Sequence, residues 1–483
     1  LRRAIDEGDF GAWRIFLHPE QRRYVTGSWN GPFRLAGGAG TGKTVVVLHR
    51  ARELARRNPQ ARVVVTTFTT NLAEVMKRDL KRLDPDLRLV EDVNQPGVLV
   101  LGVDKLVAQV IKFAKTGADK AAEWVLGEGM RAWPARPVND RWREVLELYG
   151  DELPENLRSE SFMHAEYTSV VLPNIITTLE GYLKVRRPGS GVALDRAKRS
   201  EVWRVIEAYR RRTAIEESLD FDEAAMLIAA HLYRLREVWG EVLADHVLVD
   251  EGQDLTPARL HFLRALAGAQ HADDLFIAED SHQRIYGRKV VLSRYGIAVV
   301  GRSRRLTLNY RTTAQNLGFA LGILAPGDYV DIDDQPESTQ GYRSARSGPK
   351  PVVTACSSLA EEYDNAATTL RRWLEAGVAP ETIAILVRDR YQRDKVAAAL
   401  GERGVEARVV DREAIRPGLP VVLTMHRAKG TEFSRVLLFG VSEGSIPAAL
   451  HSEKYSEEAW SDALLRERSL LYVAATRARD ELA

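Results

Sequence analysis

A chain of 483 residues, 45% hydrophobic and 28% charged, has ordinary globular composition and is long enough for about three domains with buried cores. Its net charge of +2 excludes a globally basic polymer binder, so any nucleic-acid surface has to be local. No apolar run approaches the roughly 18 residues of a membrane span, the N-terminus is no signal peptide, and the single Cys356 excludes an internal disulfide or a cysteine-rich metal site, so a cytoplasmic protein without membrane contact is expected.

Leu17-His18-Pro19-Glu20-Gln21 opens a helix, with Pro19 in the first turn, where a missing N–H is harmless. The Gln21 amide can pair donor and acceptor with an adenine edge at once, and equally reads as an ordinary exposed glutamine. A short strand, Pro32–Ala36, leads into Gly37-Gly38-Ala39-Gly40-Thr41-Gly42-Lys43-Thr44, and a helix follows from Val45. This is GxxxxGK[ST] in its strand–loop–helix context. Glycines let backbone N–H groups wrap phosphates, and the helix N-terminus adds its positive end. Lys43 then reaches the β- and γ-phosphates and the Thr44 hydroxyl is placed for Mg²⁺, so ATP or GTP is the expected ligand.

The β-branched run Val63–Thr67 ends in Phe68, Thr69 and Asn71, ahead of a helix from Leu72. These offer a ring for a base and hydroxyls for phosphates, although Phe68 also reads as plain core. From Leu106 to about Ala244 apolar residues recur at helical spacing, as in Val107, Val110, Ile111 and Ala114, which predicts an inserted helical subdomain. Within it, Gly181–Thr213 holds ten Lys or Arg (Lys184, Arg186, Arg187, Arg196, Lys198, Arg199, Arg204, Arg210, Arg211, Arg212) against three acids. A solvated helical face and a phosphate-tracking surface both account for that excess.

Asp245–Val249 reads as a buried strand delivering Asp250 and Glu251. The first acid suits Mg²⁺ held through water; the second suits orientation and deprotonation of an attacking water. Leu275–Ala278 is a further strand, and after it Gln283 is positioned to bridge a γ-phosphate and a nucleic acid, with Tyr286 to stack on a base. A second α/β unit follows from about Leu306, with strands at Ile383–Val387, Val421–Thr424 and Val436–Phe439; strands alternating with helices imply a parallel sheet. The expected division is 1–105 and 241–305 for one α/β domain, 106–240 for the insertion and 306–483 for the second domain. The missing initiator methionine and the abrupt stop at Ala483 point to an excised fragment, with room for a further domain upstream of Leu1.

The order of these motifs resembles that of superfamily one helicases of the UvrD/Rep type. Gln21 fits the Q motif, Gly37–Thr44 the Walker A loop, Phe68–Asn71 the next motif, Asp250–Gln253 the DExQ Walker B and Asp280–Tyr286 the DxxQxxY motif. Asn309–Arg311, His426–Phe433 and Tyr472–Arg479 follow in the family's order. The resemblance implies two RecA-like P-loop domains with ATP and Mg²⁺ in the cleft between them and single-stranded DNA across their tops. It further implies that Tyr310 stacks on adenine, that Glu432 meets the ribose and that Arg311 and Arg477 are arginine fingers. On the strand it implies Phe68, Thr69, Asn71, Tyr286, Thr424 and His426, with movement 3′ to 5′. Three departures stand out. Gly102–Leu106 lacks the family's histidine, Gly287-Arg288-Lys289 replaces a tryptophan, and residues 388–420 are too few for the large second insertion. Translocation on a single strand is therefore expected ahead of unwinding at a duplex junction. An RNA-directed motor and an ATPase lever on a protein partner such as RNA polymerase are the alternatives.

Overall fold

The computed structural model describes residues 17–138, 140–187, 192–286, 289–325, 327–411, 413, 415–448 and 457–483. The first lobe is a seven-stranded sheet of β1 (Phe33–Gly37), β2 (Arg62–Thr67), β3 (Leu89–Val90), β4 (Gly97–Gly102), β5 (His246–Asp250), β6 (Leu275–Glu279) and β7 (Ser303–Leu306). Its order is β3-β4-β2-β5-β6-β1-β7, and every neighbouring pair is parallel. The central strands carry continuous apolar runs such as Val63–Val65 and Val247–Val249 because both faces are covered, and alternation along the chain decides which face each side chain enters. Val63, Val65, Leu248 and Phe276 pack with the helix Lys43–Arg57; Val64, Val247, Val249 and Ile277 pack with the helical insertion.

That insertion runs from the helix Val103–Ala114 to the helix Phe221–Trp239. Its centre stacks Trp142 on Tyr209 at 3.9 Å, beside a buried capping box in which Asp220 accepts from Glu223 N–H and Glu223 accepts from Asp220 N–H. Most of the basic tract is committed internally. Arg187 forms a bidentate pair with Glu166 at 2.5 and 2.6 Å, both buried. Arg199 donates to the carbonyls of Tyr182, Leu183 and Val185, ending the helix Leu179–Lys184, and Arg210 donates to Ile176 O and the Tyr167 hydroxyl. Lys184, Lys198, Arg204 and Arg212 pair with Glu180, Asp195, Glu152 and Glu144. The tract is mainly a brace, so the phosphate-tracking reading loses most of its cations. Arg187→Ala, which leaves the buried Glu166 carboxylate without its counter-charge and with the Tyr182 hydroxyl as its remaining donor, is expected to cost about 3–5 kcal/mol, read as a lower denaturant midpoint for the insertion.

The second lobe begins with the short parallel pair β8 (Leu308–Asn309) and β9 (Arg343–Ser344). Its main sheet contains β10 (Ile383–Val387), β11 (Arg408–Val409), β12 (Val421–Thr424), β13 (Phe433–Leu438) and β14 (Ala478–Leu482) in the order β11-β12-β10-β13-β14, all parallel. Residues 388–420 hold the helix Arg390–Glu402 and β11. Between the lobes, the connection after the helix Ala314–Leu324 folds back on the first sheet, where buried Arg34 of β1 pairs with Glu279 at 2.5 Å and Asp331 at 2.7 Å. Among the described residues no helix is long and apolar enough to cross a membrane.

Candidate nucleotide and strand sites

The loop Gly37–Thr44 lies between β1 and the helix Lys43–Arg57, where strand end and helix start converge. Gly40 and Gly42 adopt φ of +71° and +82°, a region that L side chains rarely adopt. A Cβ on Gly40 would also sit 2.8 Å from Arg311 Cβ, and one on Gly42 would collide with the Gln21 amide. Lys43 Nζ donates to Gly37 O at 2.7 Å and Gly38 O at 3.0 Å and lies 3.8 Å from Asp280.

At the end of β5, the Thr44 hydroxyl donates to Asp250 Oδ2 at 2.7 Å. Burial and the adjoining Glu251 carboxylate push Asp250 up to about 6, and its Oδ1 is buried without a donor. An acceptor buried unsatisfied beside a hydroxyl suits a hard cation, so Thr44 and Asp250 fit the Mg²⁺ expected with a nucleotide. Glu251 has a left-handed backbone, φ 59°. Burial alone would raise its pKa, but the ammoniums of Lys429 and Lys43 outweigh burial and hold it below the ordinary carboxylate range. Gln253 donates to Glu251 at 2.5 Å and accepts from Asp280 N–H at 2.9 Å.

The second lobe closes this site. Buried Arg477 donates to Gln283 Oε1 and to Val473 O, both at 3.0 Å; burial and neighbouring Arg311 push its guanidinium down to about 10. Arg311 pairs with Glu432, the residue expected at the ribose, and its Nε has no acceptor. Two guanidiniums and Lys43 therefore converge on one loop of N–H donors, an arrangement that favours a polyphosphate. Tyr310 packs against His18 with ring centroids 4.9 Å apart. Gln21 differs from the adenine-reading expectation: its Oε1 accepts from His18 N–H and its Nε2 donates to Thr41 O, each at 2.9 Å, so it ties the first helix to the phosphate loop and has one N–H left for a base.

Between the lobe tops lies a cavity of about 260 Å³. Phe68, Thr69, Tyr286, Thr424 and His426 line it, together with Glu251, Arg390, Asp411, Arg427 and Lys429. Phe68 is half-buried rather than core and stacks on Tyr286 at 5.2 Å and 23°. Its ring also lies 5.4 Å from Arg259, which Asp104 of the histidine-less segment holds at 2.8 Å. Thr69 also caps the helix Thr70–Leu83, while Asn71 is exposed and not part of the cavity wall. Gly287 and Arg288 lie outside the described residues.

Lys429 is the residue that motif reading did not single out. It pairs with Asp254, donates to Gln283 O at 2.6 Å and lies 3.9 Å from Glu251, so one ammonium touches both the ring-lined cavity and the nucleotide-site acids. Burial raises Asp254 to about 6 against the pull of Lys429. The Tyr472 hydroxyl, from the last motif, accepts from Ala39 N–H at 3.2 Å.

Residues 17–290 match the UvrD/REP helicase N-terminal domain, and residues 304–415 and 421–483 match the UvrD-like helicase C-terminal domain. The chain belongs to the UvrD/Rep helicase family. Over 96% of its length it is 25% identical to a probable DNA helicase of Mycoplasma pneumoniae, covering 82% of that protein. It is 24% identical over 96% of its length to the ATP-dependent DNA helicase UvrD2 of Mycobacterium bovis, covering 78% of it. It is also 24% identical over 96% of its length to DNA helicase IV of Escherichia coli K12, covering 67%. The two sheets described above are thus the two RecA-like lobes of a UvrD-like helicase.

Proposed function

We propose that this chain is an ATP-driven translocase on single-stranded DNA, acting in the cytoplasm and moving 3′ to 5′, with lobe boundaries near residues 105, 240 and 305. The observation that carries the reading is the bridge made by Lys429 and Gln283. Gln283 accepts from Arg477 and its carbonyl accepts from Lys429, and Lys429 shares the cavity wall with Phe68 and Tyr286. A change in the nucleotide cleft therefore has a short physical path to the strand cavity.

In this reading Thr44 and Asp250 hold Mg²⁺, which when bound neutralises phosphate charge. Lys43 and the loop N–H groups bind the β- and γ-phosphates, and Tyr310 covers the adenine. Glu251, kept ionised by Lys429 and Lys43, takes the proton of the attacking water. Arg311 and Arg477 reach the γ-phosphate from the second lobe, so turnover requires closure. Each open–close cycle alternates the grip of the two lobes on the strand. Because the described residues within 388–420 form only a helix and a short strand, unwinding is expected to be weaker than translocation.

The test is the ATPase rate without polymer and with single-stranded DNA, RNA of the same sequence or blunt duplex, followed by displacement from 3′- and 5′-tailed substrates. Many-fold stimulation by single-stranded DNA and a 3′-tail requirement are expected; stimulation by no polymer would turn the reading toward a protein partner. Tyr286→Ala should raise the half-saturating oligonucleotide concentration about tenfold, the effect of losing one stacked base, and an unchanged value would remove Tyr286 from the strand site.

A further inference from the structure

One wall of the ring-lined cavity carries Arg390 and Arg427, both in contact with Asp411. Asp411 Oδ1 lies 3.5 Å from Arg390 Nη2 and 3.7 Å from Arg393 Nη1, and the Asp411 carbonyl accepts from Arg427 Nε. Arg390, Arg427 and Asp411 all face the cavity shared with Phe68, Tyr286 and His426. The side chains of Asp411 and Arg390 are 41% and 67% exposed. Charge-assisted pairs that hold firmly close to about 2.7–2.9 Å, so the Arg390–Asp411 contact is loose and solvent-screened, whereas Arg393 is buried and held at 2.8 Å by Asp394. A guanidinium held loosely by a carboxylate exchanges readily for a phosphate, whose geometry it matches as well or better.

We propose that Asp411 is a built-in competitor for strand phosphates, which limits how tightly the second lobe grips single-stranded DNA. This inference rests on the reading that the strand occupies the cavity. When Arg390 turns to a phosphate it leaves the Asp411 carboxylate, and when the lobe releases the strand it returns to it. The carboxylate lowers the cost of release, which a stepping lobe must perform in every cycle. Arg427 is different, because its anchor is the Asp411 backbone carbonyl and does not depend on the side chain.

The experiment is Asp411→Asn in the full chain, measured by anisotropy of a fluorescent oligothymidylate across a salt series. The amide keeps the shape and the carbonyl but removes the competing charge. Binding is expected to be about fivefold tighter at moderate salt, with the slope of log affinity against log salt steeper by up to about 0.7. Arg390→Gln in the same background should remove part of that gain. Unchanged or weaker binding by Asp411→Asn overturns the proposal, as does a gain that Arg390→Gln leaves whole. Phe68→Ala and Tyr286→Ala separate the two levels. If they weaken binding while Asp411→Asn has no effect, the strand site stands and the competitor falls. If neither weakens binding, the strand does not run here and both readings fall.

Discussion

Lys43→Ala is expected to bring DNA-stimulated ATP hydrolysis to background, and Glu251→Gln to lower kcat by about two to four orders of magnitude while nucleotide binding persists. The two failures have different physical origins. Lys43 Nζ sits inside the loop it serves, 2.7 Å from Gly37 O and 3.8 Å from Asp280, so its removal takes away the only lysine ammonium in direct contact with that loop among the described residues. Binding and transition-state charge stabilisation are lost together. Glu251 is an ionised carboxylate held by neighbouring ammoniums. Glutamine keeps its size and an oxygen to accept from Gln253, but cannot take a proton. A fluorescent ATP analogue should therefore bind Glu251→Gln within a few-fold of the parent and bind Lys43→Ala weakly. Normal turnover in either variant would sink the assignment of the site.

The phosphate loop was legible in the sequence because its chemistry is local: glycines are needed where φ is positive and where Arg311 and Gln21 approach. The sheet was legible for a related reason, since strands buried on both faces leave continuous apolar runs such as Val63–Val65 and Val247–Val249. The basic tract misled in part because composition counts charges and not partners. Glu166, Glu152 and Glu144, which pair with Arg187, Arg204 and Arg212, all lie outside the 181–213 window. Lys429 and Tyr472 escaped for the same reason at longer range. Lys429 meets Asp254, and Tyr472 meets Ala39 N–H, only after the second lobe has folded against the first. No spacing rule within one segment announces such contacts. Gln21 shows the opposite case, a residue whose motif role was read first and whose structural role, as capping partner of His18 and tie to Thr41 O, was not visible until both neighbours were in place.

Arg477→Ala should lower kcat by about three orders of magnitude, with ATP affinity changed only a few-fold. Arg477 belongs to the second lobe, on the turn between the helix Glu457–Ala475 and β14, yet its Nη2 donates to Gln283 of the first lobe at 3.0 Å. Burial and the neighbouring charge of Arg311 make its guanidinium easier to deprotonate than usual, which means the protein holds two cations together at an energetic cost. An anion shared between them offsets that cost, most of all when charge accumulates on the transferring phosphoryl group. The contribution therefore appears in kcat rather than in ground-state binding. Arg477→Lys should rescue little, because an ammonium cannot donate to Val473 O, Gln283 and a phosphate oxygen with the same planar fork. Since the substitution also leaves Gln283 Oε1 without its donor, thermal melting of the variant must be measured alongside kcat. A large kcat loss with a native melting temperature is the expected pattern. A loss below tenfold, or one matched by equal weakening of ATP binding, would assign Arg477 to holding the lobes together and leave Arg311 as the single finger.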